Sequence, residues 1–208
     1  MSVTAPPLTE QAPAVRIEDL TVERGGRVVL TGIDGRFGRG LVTGLFGPSG
    51  SGKSTLIRAV AGVQAGVRGS ISVLGGEPGS AAVRAALGYM TQAPSVYEDL
   101  TVAENVGYFA AMRGTEIGSA LDRVQLTPWA DQLVRNLSGG LWRLFRELAS
   151  EGATLLVSSH VLDEGRHCDE LILLREGHIV AQVSPSELAQ RTGTDDLDEA
   201  FIRLIERA

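Results

Sequence analysis

The chain has 208 residues, 43% hydrophobic and 21% charged, which suits a globular domain with a sizeable core and excludes a structureless polypeptide. Net charge is −6 with the basic residues scattered, which argues against nucleic acid or an anionic lipid surface as the main partner. No apolar run approaches a membrane span, no secretory signal opens the chain, and the single cysteine, Cys168, cannot form an internal disulfide, so a reducing cytoplasm is expected.

In chain order, residues 1–13 carry three prolines and read as a loose, disordered tail, leaving 14–208 as one domain. Apolar stretches predict strands near Val15–Val22, Arg27–Leu30, Ile33–Phe37 and Leu41–Phe46. Next comes GPSGSGKST, the residues Gly47, Pro48, Ser49, Gly50, Ser51, Gly52, Lys53, Ser54 and Thr55, which fit G-x-x-x-x-G-K-[ST]. An apolar strand precedes the motif, and Leu56, Ile57, Val60 and Ala61 follow at helical spacing with Gly62 as the stop, the strand-loop-helix setting that such a motif requires. Its glycines let successive N–H groups turn toward phosphate oxygens, and the helix start adds partial positive charge there. Of 19 basic residues, 18 are arginine, and the one lysine, Lys53, sits in this loop. A point charge on a flexible stem reaches between terminal phosphates where a planar guanidinium needs more room. The segment predicts binding of a nucleoside triphosphate, with the Ser54 hydroxyl on Mg²⁺.

Further along, Ser70–Gly76 reads as a strand and turn, and Tyr89–Gln92 (YMTQ) ends a short apolar stretch. Thr101–Met112 predicts a helix capped by Thr101 or Asp99, with Val102, Val106 and Phe109 on one face, and Ile117–Val134 supplies more helix. Leu137, Ser138, Gly139 and Gly140 (LSGG) combine a hydroxyl, unhindered backbone N–H groups and a following helix, which makes an anion site; taken alone they read better as an N-cap serine with flexible glycines. Leu141, Leu144, Phe145 and Leu148 repeat at helical spacing, Gly152 breaks that helix, and Thr154–Val157 forms a strand that delivers His160 to a sheet edge. His167 and His178 lack such a setting, and no His/Cys cluster has metal-ligand spacing. The strand LILL follows, and an amphipathic helix led by acidic residues closes the chain.

Taken together, GPSGSGKST, YMTQ, LSGG and LLVSSHVLDE resemble the ATP-binding subunit of an ABC transporter, over a stretch from about Val15 to the C-terminus, with a tone similar to bacterial drug exporters. The resemblance implies an α/β fold: a P-loop NTPase core, an antiparallel β subdomain and a helical subdomain carrying the signature. It implies that Gln92 touches Mg²⁺ and the attacking water and senses the membrane partner, and that His160 contacts the terminal phosphate. Leu137–Gly140 would close over a phosphate held by a second nucleotide-binding domain, in a homodimer or heterodimer. The partners implied are ATP, Mg²⁺, that second domain and a membrane-spanning subunit, with the chain peripheral on the inner face of the cell membrane. Where the family stacks an aromatic residue on adenine, this chain has Arg24, which either stacks its guanidinium plane or stands as a solvated turn residue.

One segment departs from the family pattern. Only nineteen residues, enough for one helix and one strand, separate Gly140 from His160. The family places a further helix, a strand ending in Asp-Glu (Walker B) and a loop here, which need about 20 to 30 more residues. The gap falls between Gly140 and Leu141, so the core sheet is expected to lack the Walker B strand. Asp163-Glu164 lies in a polar segment and Asp169-Glu170 precedes its strand, so neither substitutes. Three readings stand: a hydrolysing subunit, a non-hydrolysing ATP-binding module, or the truncated product of a transporter ATPase gene. A P-loop small-molecule kinase accounts for Gly47–Thr55 but not for LSGG or His160.

Overall fold

A computed structural model of the chain describes residues 12–89, 97, 99–113, 116–123, 126–134, 138–159 and 161–206. These group into two compact units, one drawn from Met1–Gly88 with Leu148–Ala208 and the other from Tyr89–Glu147.

The first unit holds two sheets. In one, β1 (Val15–Arg24) lies between β2 (Arg27–Phe37) and β4 (Val67–Val73), both antiparallel to it. The two strands expected at Arg27–Leu30 and Ile33–Phe37 are one continuous β2. Gly32 takes a left-handed turn (φ +54°) inside it while the register against β1 shifts, so the glycine makes an irregularity and not an end. β4 begins three residues earlier than expected and ends before the Leu74–Gly76 turn. Its first four residues are exposed, so the ladder to β1 and not an apolar pattern makes them a strand. Alternate β1 residues Val15 and Ile17, then Leu20 and Val22, enter the core with Leu30, Ile33 and Phe37 of β2.

The second sheet has the order β5-β3-β6-β7, from β3 (Val42–Phe46), β5 (Leu155–Ser158), β6 (Glu170–Arg175) and β7 (His178–Val183). β3 is parallel to both neighbours, and β7 is antiparallel to β6. All five β3 residues are buried and β6 is buried over Leu171–Leu174, as expected of strands covered on both faces. β5 pairs only with β3 among the described residues, and its four residues are all half-buried.

Cys168 packs against β3, with its Sγ 2.7 Å from where a Cβ on Gly44 would stand. Burial, reinforced by the Asp169 and Glu164 carboxylates, pushes its thiol up to about 12. At pH 8 the thiolate population is therefore about 10³-fold below that of an unperturbed thiol. Iodoacetamide at pH 8 is expected to leave the native chain unmodified and to alkylate Cys168 at an ordinary rate in denaturant; prompt native labelling would contradict the buried placement.

Helix α1 (Lys53–Val60) follows the loop after β3 and ends as expected at Gly62 (φ +73°). Helices α2 (Ala81–Ala86) and, near the C-terminus, α6 (Pro185–Thr192) start from serine caps, Ser80 and Ser184, and α7 (Leu197–Glu206) is the last element.

The other unit contains α3 (Val102–Arg113) and α4 (Ile117–Arg123), with a 3₁₀ turn at Thr127–Trp129. Thr101 caps α3 in a reciprocal pair: its Oγ1 accepts from Glu104 N at 3.2 Å, and its own N–H donates to Glu104 Oε2 at 2.7 Å. The Thr101 N–H and the Thr101 hydroxyl, which donates to the same Oε2 at 2.9 Å, hold the Glu104 carboxyl below the usual range. Val102 is buried on this helix, and so is Asn105. The Asn105 amide accepts from Tyr97 N at 2.7 Å and donates to Tyr97 O at 2.9 Å, tying the preceding loop to the helix. Helix α5 (Ser138–Ser150) runs without a break through the Gly140–Leu141 junction. Its chain continues through Gly152 (φ +97°), the expected breaker, into β5.

Candidate functional site

The site is built where β3 stops. A parallel strand ends at Phe46 between β5 and β6, and the chain must reverse into α1 within six residues, Gly47–Gly52. That turn is feasible because Gly47 (φ +147°), Gly50 (φ +82°) and Gly52 (φ +107°) take backbone conformations that side chains disfavour. Two of them are also pinned by their neighbours. A Cβ on Gly47 would stand 2.1 Å from the Leu174 carbonyl oxygen of β6, and one on Gly52 would stand 2.5 Å from Leu30 Cδ2 of β2. The loop is thus wedged between the two sheets. Gly50, with nothing near its Cα, faces open space beside the exposed Pro48 and Ser49.

Gly47→Ala is expected to cost about 2 kcal/mol, from left-handed strain plus the overlap with Leu174, which lowers Tm by about 4–8 °C for a chain of this size. A thermal melt within 1 °C of the parent's would show that the loop does not sit against β6.

Lys53 is the first residue of α1 and only 8% exposed. Its Nζ bends back over the loop and donates to Gly47 O at 2.6 Å and to Pro48 O at 3.0 Å. Burial lowers its pKa from the ordinary lysine value. An ammonium held over a ring of loop peptides at a helix N-terminus is a receptor for a chain of phosphates. Two details fit that ligand. The loop is open on its Gly50 side, and the buried Ser51 hydroxyl has no hydrogen-bond partner among the described residues. Ser54 stands half-buried one residue into α1, the position expected of the Mg²⁺ hydroxyl, while Thr55 is buried.

The remaining candidates are less gathered. Arg24 lies exposed at the end of β1, beside the Gly25–Gly26 turn. Gln92, Leu137 and His160 lie outside the described residues. The backbone of Ser138, Gly139 and Gly140 forms the first turn of α5, so the helix begins within the signature and not after it.

Neither acidic pair ends a strand beside the loop: Asp163 and Glu164 lie in a 3₁₀ turn, and Asp169 and Glu170 stand at the start of β6. Asp163 is exposed and paired with Arg166 at 2.7 Å. Asp169 accepts from Val42 N at 2.8 Å, and Glu170 pairs in register with Thr43, at the opposite end of β3 from the loop. The step from Thr43 to Phe46 spans about 10 Å. Glu170 is held by Gln182 and Thr43, and burial raises its pKa. Among the described residues, no group of three or more His, Cys, Asp or Glu is placed to hold a metal, and no helix is long and apolar enough to cross a membrane.

Two features lay beyond sequence reading: the orphaned Ser51 hydroxyl, hidden in the motif's variable positions, and a recess of about 290 Å³ lined by Gly47, Pro48, Ser49, Leu162 and Phe201. The second joins residues more than 150 positions apart, for which no local pattern exists.

Known proteins carry the same pattern. Residues 19–154 match the family described as "ABC transporter". The probable multidrug ABC transporter ATP-binding protein YbhF of Escherichia coli K12 is 34% identical over 194 residues, covering 73% of this chain and 34% of that protein. The chain thus spans about a third of that relative's length. The cytochrome c biogenesis ATP-binding export protein CcmA of Cereibacter sphaeroides is 38% identical over 125 residues, covering 60% of this chain and 55% of that protein. A solved ATP-binding subunit of an ABC transporter superposes with a TM-score of 0.70 at 22% identity, covering 92% of this chain and 99% of the other, so the fold is shared.

The two alignment lengths differ in kind. For the Cereibacter relative, 60% of 208 residues is about 125, so every aligned position has a residue here. For the Escherichia relative, 73% of 208 is about 152, so about 42 of the 194 positions have no counterpart in this chain. That exceeds the 20 to 30 residues that one helix, one strand and their loops need at about average lengths.

Proposed function

The chain belongs to the ABC transporter family, and from that premise we propose that it is an ATP-binding subunit of an exporter, acting with a separate membrane-spanning subunit and a second nucleotide-binding domain on the inner face of the membrane. The observation that carries this reading is Lys53, the chain's one lysine, bent over the Gly47 and Pro48 carbonyls of a glycine-pinned loop. When ATP binds, Lys53 and the loop N–H groups hold the phosphates, Ser54 holds Mg²⁺, and Ser138 with Gly139 and Gly140 meets a phosphate carried by the second domain. On this reading Gln92 touches Mg²⁺ and the attacking water, and His160 contacts the terminal phosphate. The printed names of the relatives, a multidrug transporter and an export protein, support an exporter.

In this chain the role is to bind ATP and not to hydrolyse it. Hydrolysis needs a group that orients the attacking water as well as charges that stabilise the phosphoryl group. Among the described residues neither Asp163-Glu164, in a 3₁₀ turn, nor Asp169-Glu170, at the start of β6, stands at the end of a strand beside the loop. One further reading is that a parent gene encodes a hydrolysing subunit and this sequence lacks an internal segment at Gly140/Leu141, where only nineteen residues separate the signature from His160; that the Escherichia alignment contains positions with no counterpart in this chain is consistent with such a loss. Sequencing the source DNA across those two codons separates the two. Titration of the 208-residue chain with a fluorescent ATP analogue tests the shared premise: saturable uptake is expected, and its absence from folded protein would overturn it.

A further inference from the structure

On the reading of Gly47–Thr55 as a phosphate loop, we infer that Phe201 on the last helix is a positioning residue for that loop, setting how far it relaxes when Lys53 exchanges backbone carbonyls for phosphate.

In the structure Lys53 is committed to the loop's own carbonyls, Gly47 O and Pro48 O. To reach a phosphate its Nζ must leave them, and the Gly47–Ser49 backbone must then satisfy those oxygens elsewhere. The loop has little freedom to do so. Gly47 is backed against the Leu174 carbonyl and Gly52 against Leu30, at distances where even a Cβ would overlap. Pro48, Ser49 and Gly50 face solvent on one side, and on the protein side the free volume beside Gly47, Pro48 and Ser49 is the recess of about 290 Å³ whose other wall is Leu162 and Phe201. Inward movement of these peptides is therefore movement toward Phe201.

Phe201 is well placed to limit that movement because α7 is held at several points. Leu197 and Ala200 are buried on the same face as Phe201. Leu197 Cδ1 lies 3.1 Å from where a Cβ on Gly165 would stand, which seats the helix on the 3₁₀ turn Leu162–His167. The helix start is capped by Asp196 Oδ1, which accepts from Glu199 N at 2.9 Å. One turn on, Arg203 donates to Thr192 O at 2.7 Å and pairs with Glu199 at 2.6 Å, binding α7 to the end of α6. A ring on a helix fixed in this way is a firm wall, and Leu162 completes it two residues after His160.

The test compares affinity for a fluorescent ATP analogue with the melting temperature of the unliganded protein, in binding assays run well below every variant's unfolding transition. Phe201→Ala is expected to weaken binding at least 5-fold through faster release, Phe201→Leu to return it within 2-fold, and Leu162→Ala to reproduce the loss from the opposite side of the recess. Ile202→Ala, on the exposed face of α7, should bind as the parent does. A merely structural Phe201 would lower the melting temperature and leave affinity untouched. Affinity within 2-fold of the parent in Phe201→Ala, or in Leu162→Ala where the first variant does not fold, overturns the inference while the phosphate loop stands. A parent that takes up no analogue overturns the phosphate loop, and the inference falls with it.

Discussion

Lys53→Ala is expected to abolish saturable uptake of labelled ATP, weakening it at least about 100-fold, since losing two charge-assisted contacts to phosphate removes about 3 kcal/mol. The size follows from where the ammonium sits. It is almost fully buried, so much of its hydration is already lost before a ligand arrives, and its two carbonyl partners are replaced by stronger anionic ones when phosphate binds. The more discriminating variant is Lys53→Arg. Elsewhere the chain uses arginine for every basic position, so charge alone does not explain this lysine. A guanidinium is larger and planar, and its fork needs space that the loop, backed against β6 and β2, does not have. Lys53→Arg should therefore remain at least about 30-fold weak, or about 2 kcal/mol. Equilibrium titration checks both, and binding by Lys53→Ala equal to the parent's removes the phosphate-loop assignment.

The loop was the most legible part of the chain because its demands are local. Three glycines, one lysine and a strand-to-helix change fall within nine residues, and each has a backbone or charge reason that sequence displays directly. The family match likewise removes the small-molecule kinase alternative. Legibility falls as partners move apart. Gly32 reads as a stop because glycine usually ends strands, yet β1 carries β2 straight through it by a register shift. Val67–Ser70 has no buried face to announce a strand, and only pairing to β1 makes it one. Asn105 falls on the inner face of α3 as a polar residue, with its value set by the Tyr97 backbone eight residues earlier. Phe201 reads as ordinary amphipathic packing until the fold brings it beside Gly47.

The junction at Gly140 and Leu141 yields a second prediction of the same size. Grafting into it a helix and a strand ending in Asp-Glu, the elements that the family resemblance implies at this place, should raise ATP turnover from background by at least about 10²-fold, the low end of what a positioned general base contributes. The physical reason lies in both the sheet and the site. Among the described residues β5 is an edge strand paired only with β3, and a new strand beside it would pair the N–H and C=O groups of its other edge. The same strand would deliver carboxylates to the carboxyl ends of β3 and β5, where ligands of such sheets bind, and not to the opposite end where Glu170 sits. A Gly-Ser linker of equal length supplies spacing without carboxylates and should leave turnover at background. So should the graft with its acidic pair changed to amides, although that protein should still bind ATP. If the ungrafted 208-residue chain instead hydrolyses ATP in a Mg²⁺-dependent reaction that His160→Ala abolishes, then water is being oriented by residues already present, and the junction is a feature of a working enzyme and not a loss.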